Sequence, residues 1–161
     1  MDRMPVRAGP RPATSRTLPH QQLDQQPPND QLRNALAGRV FALAGVSEEP
    51  SAVSVPGARA LVLDAALAAG ARDAFLVGRE FAHLHPGADH SLHMVLPESI
   101  ATAACDAGWA EPHPLATSGR VPKTLVMVFA PRDDQELGVV AGLVETSYRY
   151  ASSSGAKADR S

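Results

Sequence analysis

The chain has 161 residues, a formal net charge of −2, 44% hydrophobic residues and only 4% aromatic residues. This length fits one domain, and the near-neutral charge argues against a nucleic-acid partner, which usually meets a basic patch. No apolar run approaches the roughly 18–20 residues that span a bilayer. The single cysteine excludes an internal disulfide framework. These counts leave six histidines unexplained, five of which lie between His83 and His113.

The first 30 residues have the composition of a disordered tail, with six of the 14 prolines and four glutamines. Their large apolar residues are scattered, so the segment cannot bury enough surface to offset its ordering entropy. It also lacks the apolar core of a secretory signal, and we expect a cytoplasmic protein. We predict a disordered tail over residues 1–30, one domain over 31–151 and a second tail over 152–161.

The segments that follow alternate between helical and strand patterns. In chain order, helical periodicity and capping residues predict helices over residues 30–46 and 97–107, and from Asp133 onward with Glu136 completing a capping box. Strand patterns lie over residues 51–55, 59–63, 74–85, 91–96 and 124–130. Strands in a meander, with helices between and after them, predict a single α+β domain whose antiparallel sheet has helices packed on it.

Histidines dominate the predicted hairpin at the centre of the chain. His83 and His85 are two residues apart on one strand, so their side chains leave the same face. A turn centred on residue 88 pairs His83 with His93, and directly opposed Cβ atoms lie only about 4.5–5.5 Å apart. We therefore expect these three histidines to converge on one face, and Glu80 to point to the other.

This histidine patch has three interpretations that the spacing leaves open. Three imidazoles suit a divalent zinc, iron or copper ion, and Asp89 or His113 could complete its shell. Neutral histidines can also serve as general bases or hydrogen-bond partners for a phenolic or enolic substrate. The third interpretation is a set of partly exposed strand histidines without a function.

Two further segments carry candidate site residues. Trp109, the only tryptophan, precedes His113, which prolines on both sides hold in an extended loop. Trp109 is either a core residue or a platform for a ligand. Arg132 joins the last strand to the last helix, where it either binds an anionic group or braces a carboxylate inside the fold.

Several short motifs in this chain resemble the fungal luciferases. The similarity runs in one order over some 70 residues, from about Arg79 to Tyr150, and is only loose over residues 50–78. The motifs are REFAHLH (79–85), Asp89, SLHMVL (91–96), Gly108-Trp109, HPLA (113–116), APR (130–132) and the helical segment 136–150. A series of motifs in one order is much more specific than any one of them.

The resemblance implies a luciferase-like domain and oxygen chemistry. Fungal luciferases oxidise 3-hydroxyhispidin, a styryl-pyrone, with molecular oxygen, through an endoperoxide-type intermediate that loses carbon dioxide. We therefore expect an oxygen-dependent oxidoreductase acting on a small enolic or aromatic, pyrone-like substrate, with oxygen as co-substrate. A divalent zinc or iron ion on His83, His85 and His93 remains a candidate cofactor. The N-terminal membrane segment of the fungal enzymes has no counterpart here, so we expect no membrane partner.

The same resemblance assigns roles to individual residues. It makes His83, His85, His93, His113 and Arg79 the candidate catalytic residues. It makes Asp89, Trp109 and Arg132 the candidate substrate-binding residues, and it leaves His90 out. A histidine near its reference pKa of about 6.5 suits the removal of an enolic proton, and an arginine suits the resulting oxyanion. The alternative is a non-catalytic small-molecule-binding or regulatory module, favoured by the low aromatic content, because pockets for planar ligands usually have aromatic walls.

Overall fold

The computed structural model describes residues 4–153. Within them, one antiparallel sheet has the strand order β1-β2-β3-β4-β6-β5. The strands are β1 (Val46–Pro50), β2 (Arg59–Leu63), β3 (Glu80–Leu84), β4 (Leu92–Val95), β5 (Ala110–Pro112) and β6 (Leu125–Val128). The helices are α1 (Gln31–Val40), α2 (Glu98–Asp106) and α3 (Asp134–Ser152), with a 3-10 turn at Arg72–Ala74. The predicted α+β class with an antiparallel sheet is confirmed.

The long helix α3 lies across one face of the sheet, on β3 and β4, and α1 packs beside it. The hydroxyl of Ser147 donates to the carbonyl oxygen of Val95 over 2.6 Å, which fixes the helix to the sheet. The ring of Phe81 meets that of Tyr148 edge-on, with centroids 6.1 Å apart. Because the helices cover this face, the histidines of β3 and β4 are left on the opposite face.

The hairpin of β3 and β4 has the predicted register. His83 pairs with His93, and the backbone N–H of His85 donates to Ser91 O over 3.1 Å. Paired residues on neighbouring strands form a row across the sheet. In order, this row is Ala60, His83, His93, Met127 and Glu111. Directly opposed residues share a face, so this row places His83 and His93 side by side and Glu111 on the same face, beyond Met127.

A β-bulge in β3 makes one sequence prediction wrong. Leu61 pairs with Ala82 and Val62 pairs with Glu80, so Phe81 is an extra residue opposite β2. A bulge of this kind shifts the alternation of side chains by one position. Glu80 therefore lies on the histidine face, where strict alternation places it on the helix face.

Several boundaries also differ from the sequence prediction, and β3 begins at Glu80 rather than at residue 74. Helix α1 ends at Val40 rather than Val46, and the first strand lies over 46–50 rather than 51–55. This strand is mostly exposed and is defined by its pairing with β2, not by an alternating pattern of its own. The short strand β5 was expected as an extended loop, and it forms because it pairs with β6 at the sheet edge.

The N-terminal segment differs from the predicted disordered tail over residues 4–30. Its backbone and side chains bond to the domain: Arg7 N–H donates to Ala107 O over 2.9 Å, and Trp109 Nε1–H donates to Pro5 O over 2.6 Å. Gln22 accepts the N–H of Ala130 over 2.8 Å. The segment is thus held mainly by polar contacts, which hydrophobic patterning does not reveal.

The C-terminal tail prediction falls mostly outside the described residues, which end at 153; Ser152 still belongs to α3. Among the described residues, no helix combines the length and apolar character needed to cross a bilayer.

Candidate active site

Five histidines meet beside the hairpin, on the face of the sheet away from the helices. His93 is at the centre, with its ring centroid between 4.5 and 5.2 Å from those of the other four, which are His20, His83, His85 and His113. All five line one cavity of about 530 Å³. The convergence of His83, His85 and His93 follows from the strand register, whereas His20 and His113 arrive from other parts of the chain.

Aliphatic side chains form most of the remaining wall of the cavity. They come from the N-terminal segment, the loops after β1, β2 and β5, and the start of β6, and they are Leu18, Pro19, Val53, Val55, Leu76, Leu115, Val121 and Leu125. No Phe, Tyr or Trp lines this cavity in the range 4–153. The site therefore combines one wall of imidazoles with a mostly apolar enclosure.

A buried carboxylate holds His83. His83 Nδ1–H donates to Glu80 Oε2 over 2.8 Å, and the same carboxylate accepts from the Ser51 hydroxyl over 2.7 Å and from Ala52 N–H over 3.1 Å. Burial alone would raise the pKa of Glu80, but the hydrogen bonds from these three donors outweigh it and lower that pKa. Glu80 is therefore ionised at neutral pH.

A second polar chain holds His85. Ser91 Oγ–H donates to Asp89 Oδ1 over 2.7 Å, so the hydroxyl oxygen is free to accept from His85 Nδ1–H over 2.9 Å. The other carboxylate oxygen, Asp89 Oδ2, lies 3.3 Å from the same nitrogen. Asp89, predicted as a substrate-binding residue, lines the cavity and orients His85.

His93 is linked to a third carboxylate through His20. His20 Nε2–H donates to Glu111 Oε2 over 2.8 Å, and His20 Nδ1 lies 2.9 Å from His93 Nε2. Thr14 Oγ1–H also donates to Glu111, over 2.9 Å. Burial raises the pKa of Glu111, but the bonds from His20 and Thr14 outweigh it and lower that pKa. The N-terminal segment thus supplies His20 and Thr14, which connect His93 to the Glu111 carboxylate on β5.

Burial keeps the core of the cluster neutral. Desolvation, followed by repulsion from the neighbouring imidazoles, lowers the pKa of His85 and that of His93 well below the usual histidine value. Desolvation also lowers the pKa of His113 to about 4. At neutral pH these rings are uncharged, so they act as hydrogen-bonding groups or ligands rather than as cations.

Three predicted site residues lie away from the cluster. Arg79 is exposed and its Nη1 donates to Leu63 O over 2.8 Å. Trp109 is 4% exposed and belongs to the hydrophobic core, and Arg132 is paired with Glu136, where its Nε donates to Oε1 over 2.9 Å. None of the three lines the cavity within residues 4–153. Trp109 and Arg132 therefore take the structural alternatives that the sequence had left open.

His90 lies apart from the cluster, as expected. Its backbone N–H donates to Gln26 Oε1 over 2.9 Å, and its ring faces α1 rather than the cavity. Sequence reasoning missed His20, which lies in a segment rich in proline and glutamine, where no periodicity or spacing indicates a site. It also missed the role of Glu80, which only the bulge reveals.

Two triads of imidazoles have nitrogen atoms close enough to hold one metal ion. In each triad the three nitrogens lie within 4.8 Å of one another, and the triads are His83, His85, His93 and His20, His93, His113. The first is the set that the hairpin spacing predicts.

Comparison with known proteins connects this site to a family. Residues 78–147 match the family model described as Luciferase domain. This stretch of the chain is similar to a luciferase domain. Four of the five clustered histidines lie within the matched stretch, and His20 lies before it.

The chain is also similar to part of several fungal proteins. The luciferases of Armillaria mellea, Armillaria gallica and Neonothopanus nambi are each 36% identical to this chain over 74 residues, which is 45% of this chain and 28% of each relative. The chain thus spans 28% of the length of these relatives. No solved structure matches it.

Proposed function

We propose that this luciferase-like protein is an oxygen-dependent oxidoreductase that acts on a small enolic or aromatic, pyrone-like substrate in the histidine-lined cavity. The observation that carries the proposal is the convergence of His83, His85, His93 and His113 on one apolar cavity of about 530 Å³. A volume of this size lies within the range of small-molecule sites. A tightly filled space around His83 would instead have favoured a domain that retains the fold without the chemistry.

The chemistry of such a substrate explains why neutral imidazoles are useful. A 3-hydroxy-pyrone must lose its enolic proton before it can donate an electron to oxygen. The lone pair of a neutral imidazole can accept that proton or bind a metal ion that stabilises the enolate. The aliphatic walls exclude water, which strengthens both interactions.

His113, which lies on the same wall of the cavity, is suited to a role other than proton abstraction. Its Nδ1 accepts the N–H of Leu115 over 3.0 Å, so in the neutral ring the proton is on Nε2. An N–H group fixed in this way can donate to the oxygen atom on which negative charge develops. We assign this role to His113 in place of Arg79 and Arg132, which lie elsewhere.

Oxygen consumption tests the proposal directly. We expect the full chain to take up oxygen with 3-hydroxy-pyrones, and the rate to fall by about 100-fold or more in His83→Ala, the usual range for removing an acid–base group. His90→Ala is the matched control, a buried histidine outside the cavity. No oxygen uptake by the folded wild type, or equal uptake in His83→Ala, would refute the proposal.

A binding module is the second candidate, because Phe, Tyr and Trp are missing from the cavity wall over residues 4–153. It predicts that pyrones bind, as measured by calorimetry, with no consumption of oxygen. His83→Ala would then change affinity alone.

A further inference from the structure

The hydrogen-bond partners of the histidines determine where each ring carries its proton. Glu80 accepts from His83 Nδ1, which lies 2.8 Å away. The Ser91 oxygen accepts from His85 Nδ1 over 2.9 Å, because its own proton is directed to Asp89. In a neutral imidazole with Nδ1 protonated, Nε2 has a free lone pair. His83 Nε2 and His85 Nε2 are therefore both acceptors.

The position of the proton on His93 depends on its neighbour His20. Glu111 accepts from His20 Nε2, so in the neutral ring His20 Nδ1 has a lone pair and accepts from His93 Nε2–H, 2.9 Å away. The proton of His93 is thus on Nε2, and its Nδ1 has the free lone pair. His93 Nδ1 lies 3.2 Å from His83 Nε2 and 2.9 Å from His85 Nε2.

Three lone pairs therefore face one another with no proton between them. Nitrogen atoms at 2.9–3.2 Å with no hydrogen to share repel each other, and a cation among them removes that conflict. Zinc–nitrogen bonds of about 2.0–2.1 Å in a tetrahedral site place neighbouring nitrogens about 3.3–3.4 Å apart. The two separations from His93 Nδ1, 3.2 and 2.9 Å, are slightly shorter than that spacing, and the three nitrogens lie within 4.8 Å of one another.

We propose that His83 Nε2, His85 Nε2 and His93 Nδ1 bind a divalent transition-metal ion at the wall of the cavity. Three imidazole ligands are a set typical of zinc and also suit iron and copper. All three residues line the cavity, so a further coordination position faces the space where a small molecule fits. The role of the ion in holding an enolate oxygen rests on the proposed function, whereas its binding does not.

The groups behind the ligands match those of known metal centres. Histidine ligands in metal sites almost always donate their second N–H to a carboxylate, a carbonyl or water, which fixes the ring and raises its basicity. Here Glu80, the pair Ser91–Asp89, and the chain through His20 to Glu111 supply this support to the three ligands in turn.

The second triad of imidazoles does not offer the same lone pairs. His113 Nδ1 accepts the N–H of Leu115, and His20 Nδ1 accepts from His93. The remaining nitrogen of each ring carries a proton. The triad His20, His93 and His113 is therefore excluded as a metal site while these hydrogen bonds persist.

Metal uptake by the full chain, prepared without a polyhistidine tag, tests the site. The probes are Zn²⁺, counted by elemental analysis after dialysis, and Co²⁺, followed by its visible absorption. We expect one ion per chain in the wild type, and loss of stoichiometric binding in His83→Ala and His93→Ala. His85→Gln is a third variant that removes a ligand, and it disturbs the fold less because it keeps a polar side chain. His90→Ala and His113→Ala should still bind one ion, because neither residue is a ligand.

The outcomes separate this site from the proposed function. A folded wild type that takes up neither ion, or one whose uptake is lost in His113→Ala and kept in His93→Ala, would overturn the site. Oxygen uptake that persists undiminished after complete removal of metal by a chelator would overturn the role of the ion and leave the proposed function standing. Stoichiometric metal without oxygen uptake would support the site and count against the proposed function.

Discussion

At the scale of single residues, the carboxylates decide what the histidines can do. Glu80 and Asp89 lie beneath His83 and His85, and Glu111 reaches His93 through His20. Each contact fixes a proton on the outer side of a ring and leaves a lone pair on the inner side. The reactive character of the cluster therefore depends on residues that need not touch a substrate.

Glu80→Gln tests this dependence. The amide loses the negative charge and one of the acceptor positions that His83, Ser51 and Ala52 now use. Loss of such a supporting group typically weakens metal binding by about 10–100-fold, and we expect an effect of that size in a Co²⁺ titration. Glu49→Gln, at an exposed position on β1, is the control. Equal affinity in wild type and Glu80→Gln would contradict the expectation.

At this scale the sequence predicted part of the site. The H-x-H spacing and the turn position were enough to bring His83, His85 and His93 together, because the period of a strand is fixed. They could not place Glu80, because a bulge depends on how β3 meets β2 rather than on a local pattern. Nor could they place His20, which lies some 60 residues before the hairpin.

At the scale of elements, the start of α3 is the best-defined local structure. Asp133 is its N-cap and accepts the N–H of Glu136 over 2.8 Å. The predicted capping box begins the helix at this point, although the Glu136 side chain turns to Arg132 instead. Capping signals can be recognised from the amino-acid sequence because they involve residues that are close in sequence.

Asp133→Ala should lower the free energy of unfolding by about 1 kcal/mol, since an N–H at the helix start loses its acceptor. Urea denaturation of the two proteins gives this difference. Asp134→Ala, one residue further on and exposed, should change stability much less. Similar losses in both variants would mean that the cap bond contributes little.

The ion pair of Arg132 and Glu136 predicts a pH dependence. Burial raises the pKa of Glu136, but the Arg132 side chain and backbone N–H outweigh it, so this pKa lies below its usual value. A carboxyl with a lowered folded-state pKa stabilises the fold above its unfolded pKa of about 4.3, and this stabilisation is lost as pH falls further.

Glu136→Gln should therefore be less stable than the wild type at pH 7, with a difference that narrows towards pH 3. Urea denaturation at both values measures it, and Glu49→Gln again controls for the loss of one carboxylate. A difference that stays constant from pH 7 to pH 3 would contradict this assignment.

At the scale of the whole molecule, the N-terminal segment is the least expected part of the structure. Its composition is typical of disorder, yet Arg7 and His20 are buried against the domain. Composition predicts whether a segment can form a core of its own; it does not predict whether the segment binds to a core that already exists. The fold class could be predicted, and the attachment of this segment could not.

Hydrogen exchange tests whether the segment is attached in solution. The amide protons of Arg7, Ser15 and Leu23 each donate to a backbone oxygen, so we expect them to exchange more slowly than in an unfolded peptide. The amide of Arg16, for which no backbone acceptor is found in the range 4–153, is the internal reference. Exchange at unfolded-peptide rates throughout residues 4–28 would restore the prediction of a disordered tail.

The stretch that matches the Luciferase domain model, residues 78–147, is smaller than the folded unit. It contains β3 to β6 and four of the five clustered histidines, but β1, β2 and His20 lie outside it. A gene fusion that transferred only the shared stretch would leave β3 as an open edge and His93 without the partner that fixes its proton. Two proteins could thus inherit the same central motif and differ in reactivity through the sequence that precedes it.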